Sequence, residues 1–433
     1  MHIQEMNIKT SKVLHIFSIL SIFVIGLHLP RAFVLLYVFI ALTSAESVLR
    51  ISRDPIVLRG PRFNLFISSL FLIFVYSCLY TLGMIQWGYW TFSESSRDIV
   101  NATLIPTSIF AAGASSACNG RSRNSQYLLS YAMGGLVYVI ASILVSRHIL
   151  WDMSEVFQSS IFVPWGNPPS LNVRSVDQCI LPAMALLPTS ITVLLTNHSK
   201  HAKLTASIFL LLGLIGVYCE FSLNGRIGFF ALVLAMVPPL ILMAHKFTGQ
   251  RFSFRLTTLA CVPVAICALA LFQKLMSSMA SSGTWSRGLC DERLSLYWSF
   301  VTRLSNAPWG GRILRVPFSL CDGQHGLLAS SRGSVQMAHN VLLDTYYSVG
   351  FPATIALLLP TVIILVFVIK YLISSIPVWN WHLALRFGWL AVCFTEWFFQ
   401  PLIYSDRLLF FFSFFILGLL YAESCPVRDS RIS

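Results

Sequence analysis

Acidic side chains are scarce in this sequence: 17 Asp and Glu stand among 433 residues, and no Asp-x-Asp pair occurs. An enzyme that consumes a nucleotide-sugar diphosphate ordinarily holds a divalent ion on acidic ligands to neutralise its leaving group, and that ligand set is missing. HExxH, GxSxG, a phosphate-binding P-loop and Cys/His metal spacings are absent too, which removes the common soluble hydrolases and nucleotide-binding enzymes. The net charge of +13 could suggest nucleic acid, but Lys and Arg form no basic runs, so no nucleic-acid partner is expected. Internal repeats, low-complexity tracts and a soluble domain at either end are likewise lacking, and the whole chain, 1–433, reads as one integral membrane domain.

Charge in general is the larger deficit. Only 11% of residues are charged against 56% hydrophobic, and mean hydropathy is +0.73, far outside the range of a soluble domain. The fold class that follows is all-α and polytopic. Apolar stretches of roughly 17 to 25 residues, the length that crosses a bilayer as helix, fall near 13–29, 31–48, 63–83, 98–117, 127–146, 178–196, 205–222, 227–245, 256–273, 351–371, 385–402 and 407–423, about 12 transmembrane helices. The second carries SAES at 44–47 and the fourth a run of small and polar residues, which makes these two the least regular. The first has a basic start like a signal peptide but no small-residue cleavage site, so it is expected to be retained.

Between the spans, basic residues are dealt unevenly. Seventeen, among them Lys9, Arg50, Arg123, Lys200, Arg255 and Arg386, fall on one side, against six on the other once the long loop 274–340 is set apart. The positive-inside rule then puts both termini in the cytoplasm and the long loop outside. Most of the ten cysteines sit within spans as small apolar residues. Cys290 and Cys321 alone lie in the long loop, where an oxidising compartment would favour a disulfide closing about thirty residues.

Function is therefore sought in the external segments. The stretch 147–177 contains VPWGNPPS, whose prolines forbid regular helix, and reads as a lid or spacer. In the long loop, RLSLYWSFVTRLSN (293–306) aligns Leu294, Tyr297, Val301 and Leu304 on one helical stripe, as in a helix lying on a membrane surface. It ends at Pro308, where Trp309-Gly310-Gly311 provide a turn. A second interfacial helix begins around His339 and runs to a break at Gly350-Phe351-Pro352, after which membrane-grade sequence resumes.

The loop's cations, Arg287, Arg293, Arg303, Arg312, Arg315 and Arg332, far outnumber its acids. Arginine can take a metal's part on a diphosphate through bidentate hydrogen bonds, although arginines here would equally hydrate the loop and touch lipid headgroups. Arg226, in SLNGRIGFF, occupies a very tight external turn, where a diphosphate contact and simple anchoring are both open. Glu220 and Glu396 lie within spans and are expected to pair structurally rather than catalyse.

His339-Asn340, nine residues, then Gly350 resembles the signature of the O-antigen ligase and polymerase family of bacterial membrane glycosyltransferases, in which such a pair closes the large periplasmic loop. Asn224-Gly225-Arg226-Ile227-Gly228, Arg293 to Trp298 and Pro308-Trp309-Gly310-Gly311 resemble three further family features, over about residues 205–372. Ala353 stands where the pattern ends in glycine, and Gly225 precedes Arg226 rather than following it.

This resemblance implies a GT-C-like fold in the bacterial inner membrane, with interfacial helices in the periplasmic loop, 274–350. It also implies metal-independent transfer, without a cofactor, from an undecaprenyl-diphosphate-linked glycan. The acceptor is lipid A-core in a ligase, or another lipid-linked glycan in a polymerase that joins repeat units. His339 is then the expected catalytic base; Arg226, Arg293, Arg312 and Arg315 would hold the diphosphate or sugar. Asn340 would hold a sugar hydroxyl or cap its helix. A lipid-linked oligosaccharide flippase is the alternative from another class, but transporters gather their charges and broken helices near the midplane, whereas here they gather at the outer edge.

Overall fold

The computed structural model describes residues 2–29, 32–51, 61–146, 160–162, 165, 170–172, 178–197, 199–223, 226–248, 301, 304–306, 308–311, 340–374, 380–400, 402–405 and 407–424. Helices stand at every expected span that falls on these residues: α1 (His2–Gly26), α2 (Ala32–Ile51), α3 (Pro61–Gln86), α4 (Ser96–Ser116), α5 (Arg121–Val145), a broken pair α6 (Leu181–Met184) and α7 (Leu186–Thr196), α8 (Lys200–Ser222) and α9 (Arg226–Thr248). The short α10 (Val341–Val349) leads into α11 (Phe351–Ser374), followed by α12 (Trp381–Phe399), a one-turn α13 (Leu402–Ser405) and α14 (Arg407–Glu423). The expected ninth span, 256–273, lies outside the described residues.

Six of these helices are long and apolar enough to cross a membrane: Ala32–Leu49, Asn64–Gln86, Ser96–Ser116, Arg121–Val145, Lys200–Glu220 and Phe351–Leu372. Shorter apolar stretches are Thr10–Gly26, Leu181–Thr196 and Ile227–Met243. The protein is a membrane-embedded helical bundle.

The all-α expectation holds, with one small two-stranded addition. In the proline-rich stretch after α5, β1 (Ser160–Phe162) pairs antiparallel with β2 (Ser170–Asn172), with Ile161 opposite Leu171. Between them Trp165 donates its indole N–H to the Leu27 carbonyl at 2.7 Å, fastening the hairpin over the end of α1.

The bundle is built around α14, which is buried at every position from Leu408 to Tyr421. A helix apolar all round belongs at the centre of a bundle. In lipid no hydrophobic drive draws helices together, so close backbone approach and dispersion must. The small-residue run of α4 serves that purpose: a Cβ on Gly113 would collide with the Phe415 carbonyl, and one on Gly418 with the Phe110 carbonyl. What looks irregular in the fourth span is its contact surface with α14.

The SAES stretch of the second span has a comparable cause. Glu46 is fully buried and accepts hydrogen bonds from Arg123 and, at 2.7 Å, from the Tyr127 hydroxyl, with His15 Nδ1 3.4 Å away. On the other side of α5, Arg386, also fully buried, donates Nη2 to Glu423 Oε1 at 2.8 Å and to the Arg121 carbonyl at 3.0 Å. Both clusters lie at the end of the bundle where α5 begins. Arg123, partly buried, and Arg386, fully buried, therefore count among the seventeen flanking cations but act as ion partners, because α2 and α14 each bring a carboxylate to their depth.

Candidate functional site

At the opposite end of the bundle, α10 is a single short helix held on every side. Asn340 is its N-cap: Oδ1 accepts from the Leu342 and Leu343 amides at 3.0 and 3.1 Å. The Asn340 amide in turn donates to Asp344 Oδ2 at 3.2 Å, a reciprocal pairing that satisfies three donors at the helix start. Asp344 is thus turned back on the cap. The remaining function of the Asn340 side chain is a tether, Nδ2 donating to the Phe398 carbonyl at 3.3 Å at the end of α12.

The far end of α10 explains the glycines. Gly350 breaks the helix with φ 96°, a backbone that L side chains rarely adopt. Its break is filled by the Pro308–Gly311 turn: Phe351 N–H donates to the Pro308 carbonyl at 2.8 Å and Gly311 N–H to the Ser348 carbonyl at 3.1 Å. Beneath the turn, Gly311 rests on the Trp87 indole with no room for a Cβ, and the Tyr346 hydroxyl donates to the Leu304 carbonyl at 2.7 Å. The segments 308–311 and 340–350 are one packed unit.

Arg226 is the first residue of α9, and nothing is described of its side chain. The start of its helix is fixed by Glu220, buried in α8, whose Oε1 accepts from the Gly228 amide at 3.0 Å. A carboxylate at a helix N-terminus satisfies both an orphan N–H and the helix dipole. Glu220 therefore has a structural role at the start of α9. One turn further on, Phe230 packs edge-to-face on Phe399 with ring centroids 5.3 Å apart. Glu396 is fully buried one turn before these residues on α12.

The structure thus brings the helix starts of Arg226 and Asn340 to one place, the C-terminal end of α12, through the adjacent residues Phe399 and Phe398. His339, Arg293, Arg312, Arg315, Cys290 and Cys321 lie outside the described residues, as does most of the expected surface helix at 293–306. Sequence reasoning missed the part played by α12: Phe398 acts through its backbone carbonyl, which leaves no side-chain signature to read.

No family model matches this sequence, and no curated protein matches it either.

Proposed function

We propose that this protein is a metal-independent glycosyltransferase acting on the periplasmic face of the inner membrane, moving a glycan from an undecaprenyl-diphosphate carrier to a sugar hydroxyl of lipid A-core. The observation that carries this reading is the convergence of the Asn340 and Arg226 helix starts on the end of α12, beside a helix that ends at a glycine break just before a membrane span. A glycosyl transfer at the lipid surface needs this layout: a base for the hydroxyl, cations for the departing charge, and a site at the depth where the carrier's diphosphate sits.

In this reaction the acceptor oxygen attacks the anomeric carbon while the bond from that carbon to the diphosphate oxygen breaks. The bonding pair leaves on the lipid diphosphate, and the hydroxyl proton passes to the imidazole of His339, the residue immediately before the Asn340 cap. Arg226, with the loop cations Arg293, Arg312 and Arg315, meets the charge that develops on the leaving group.

The glycolipid profile of a strain lacking the gene tests the reading. Loss of all capped core with lipid-linked glycan accumulating on the outer face supports ligation. Core carrying a single repeat assigns the same chemistry to polymerisation of repeat units, and loss of capped core with the glycan stranded on the inner face assigns the protein to lipid-linked oligosaccharide transport.

A further inference from the structure

We infer that an aromatic rim at the α10 end of the bundle, made by Trp87, Tyr89, Phe92, Trp309 and Phe351, docks into the boundary between lipid headgroups and acyl chains and so fixes the depth of the candidate site. All five side chains are exposed, Phe92 by 71%, Trp309 by 70% and Phe351 by 54%. Single exposed apolar residues are ordinary, but large aromatics left uncovered together mark an interaction surface.

The rim is rigid. Trp309 is carried on a turn whose next two residues, Gly310 and Gly311, have φ 80° and 77°, and a Cβ on Gly310 would collide with the backbone of Val349 and Gly350. Gly311 is seated on the Trp87 indole, and Phe351 donates its N–H to the Pro308 carbonyl. Beside them the chain folds back on the end of α3, the Tyr89 and Trp90 amides both donating to the Met84 carbonyl at 2.9 and 3.1 Å. A turn this firmly held could have buried its tryptophan, and instead it displays it.

What lies below the rim identifies the partner. Phe351 heads an exposed stripe on one face of α11, continued by Ile355, Leu359, Val362 and Val366 and closed by the exposed Lys370. From Phe351 to Lys370 the helix rises about 29 Å at 1.5 Å per residue, against about 30 Å for the hydrocarbon core of a bilayer. On the neighbouring α3, Ile67, Phe71, Phe74 and Leu82 form a second exposed stripe that runs toward Trp87. A glycan or a soluble protein would need the rim alone. A stripe one hydrocarbon core long, with aromatics at one end and a lysine able to snorkel at the other, fits lipid.

The rim is coupled to α10 by packing. Val349 fills the space over Gly83 of α3, leaving no room for a Cβ there, and the Pro308–Gly311 turn closes the break at Gly350. Aromatic rings held at the interface therefore hold the end of α10 at that depth too.

The test is fluorine NMR on the full-length protein in phosphatidylcholine nanodiscs, with trifluoromethyl-phenylalanine placed by codon suppression at Trp309, at Phe92 or, as a mid-depth reference, at Leu359. These positions are all exposed, so the probe disturbs no packing. Four quenchers are compared: lipid spin-labelled on the headgroup, near the top of the acyl chain or near its end, and a gadolinium chelate in the water. The signals from Trp309 and Phe92 are expected to be lost with the two shallow labels and kept with the deep one, and the Leu359 signal to be lost with the deep label and kept with the chelate.

Loss of the Trp309 signal to the chelate but to no lipid label puts the rim in water, open to a glycan or a protein, and overturns the proposal. Loss chiefly to the deep label places it within the acyl core and overturns it as well. Survival of both the Trp309 and Leu359 signals against every lipid label means that a second copy of the chain covers this face, with the same consequence. No glycan or carrier enters the experiment, so the anchor stands or falls separately from the transferase reading.

Discussion

Arg386 and Glu423 face each other inside the bundle, with Nε 2.7 Å from Oε2 and Nη2 2.8 Å from Oε1. The pair joins α12 to the end of the central helix α14. Arg386 further donates to the Arg121 carbonyl, and the Arg121 guanidinium reaches the Tyr371 hydroxyl at 3.0 Å on α11. Three helices therefore meet through one buried cation, and the Arg121 guanidinium adds α11.

Breaking this pair on one side strands a charge in a medium that cannot solvate it. Glu423→Gln is expected to destabilise by about 3 to 5 kcal/mol, whereas Arg386→Met with Glu423→Leu together, which leaves no charge behind, stays much closer to wild type. Thermal unfolding in one detergent reads both. A double variant no more stable than the single one shows that the pair does more than balance its own desolvation.

The cap offers a second comparison. Asn340→Ala removes two accepted hydrogen bonds at the start of α10 and the donation to Phe398, and should cost about 1 to 2 kcal/mol. Asn340→Ser can still accept from the helix amides but is too short to replace the donation to Phe398, so most of the stability returns while glycan transfer remains reduced. An Asn340→Ala protein that unfolds at the wild-type temperature would show that the tether and cap carry no weight.

Much of this fold was legible because bilayer thickness fixes helix length, and a run such as 351–371 has few other ways to fold. The two irregular spans mark where that logic gives way to packing. The SAES stretch places Glu46 opposite Arg123, and the small residues around Gly113 let the backbone of α14 in; one-dimensional hydropathy scores both features as weakness because their partners are more than seventy residues away. Gly350 could be read as a break from its place before Phe351-Pro352, and it is one. The seat of that break on Pro308 could not be read, since it is made by backbone hydrogen bonds. The hairpin at Ser160–Phe162 was hidden for a related reason: three-residue strands are too short for alternation to register.

Arg226 supplies a third prediction. Its helix start is fixed by Glu220, and one turn on Phe230 packs against Phe399 at the end of α12. Arg226→Lys keeps the charge and loses the planar fork that holds two oxygens of a diphosphate. Transfer should fall about tenfold or more while expression and the unfolding midpoint stay at wild-type values, the scale of one charge-assisted hydrogen bond. Full activity in the lysine variant would reduce the residue to a point charge or an anchor.

His339 carries the last prediction. An imidazole is the side chain whose ordinary pKa lies nearest neutrality, which lets it accept a proton from a hydroxyl and release it again. The residue after it is pinned by four hydrogen bonds, two from the Leu342 and Leu343 amides, one to Asp344 and one to Phe398. A base needs such an anchor, because an error of about 1 Å in its position can cost a hundredfold in rate. His339→Ala and His339→Gln should insert normally and bind the lipid-linked donor, since the cap is made by Asn340 and the break by Gly350. Transfer to acceptor should drop by about two to four orders of magnitude, the usual scale for losing a positioned base. The purified protein, supplied with undecaprenyl-diphosphate-linked glycan and lipid A-core, gives the answer as product formed per unit time. Near wild-type transfer by His339→Ala would leave the proton to another group and make this histidine only the residue that precedes the cap.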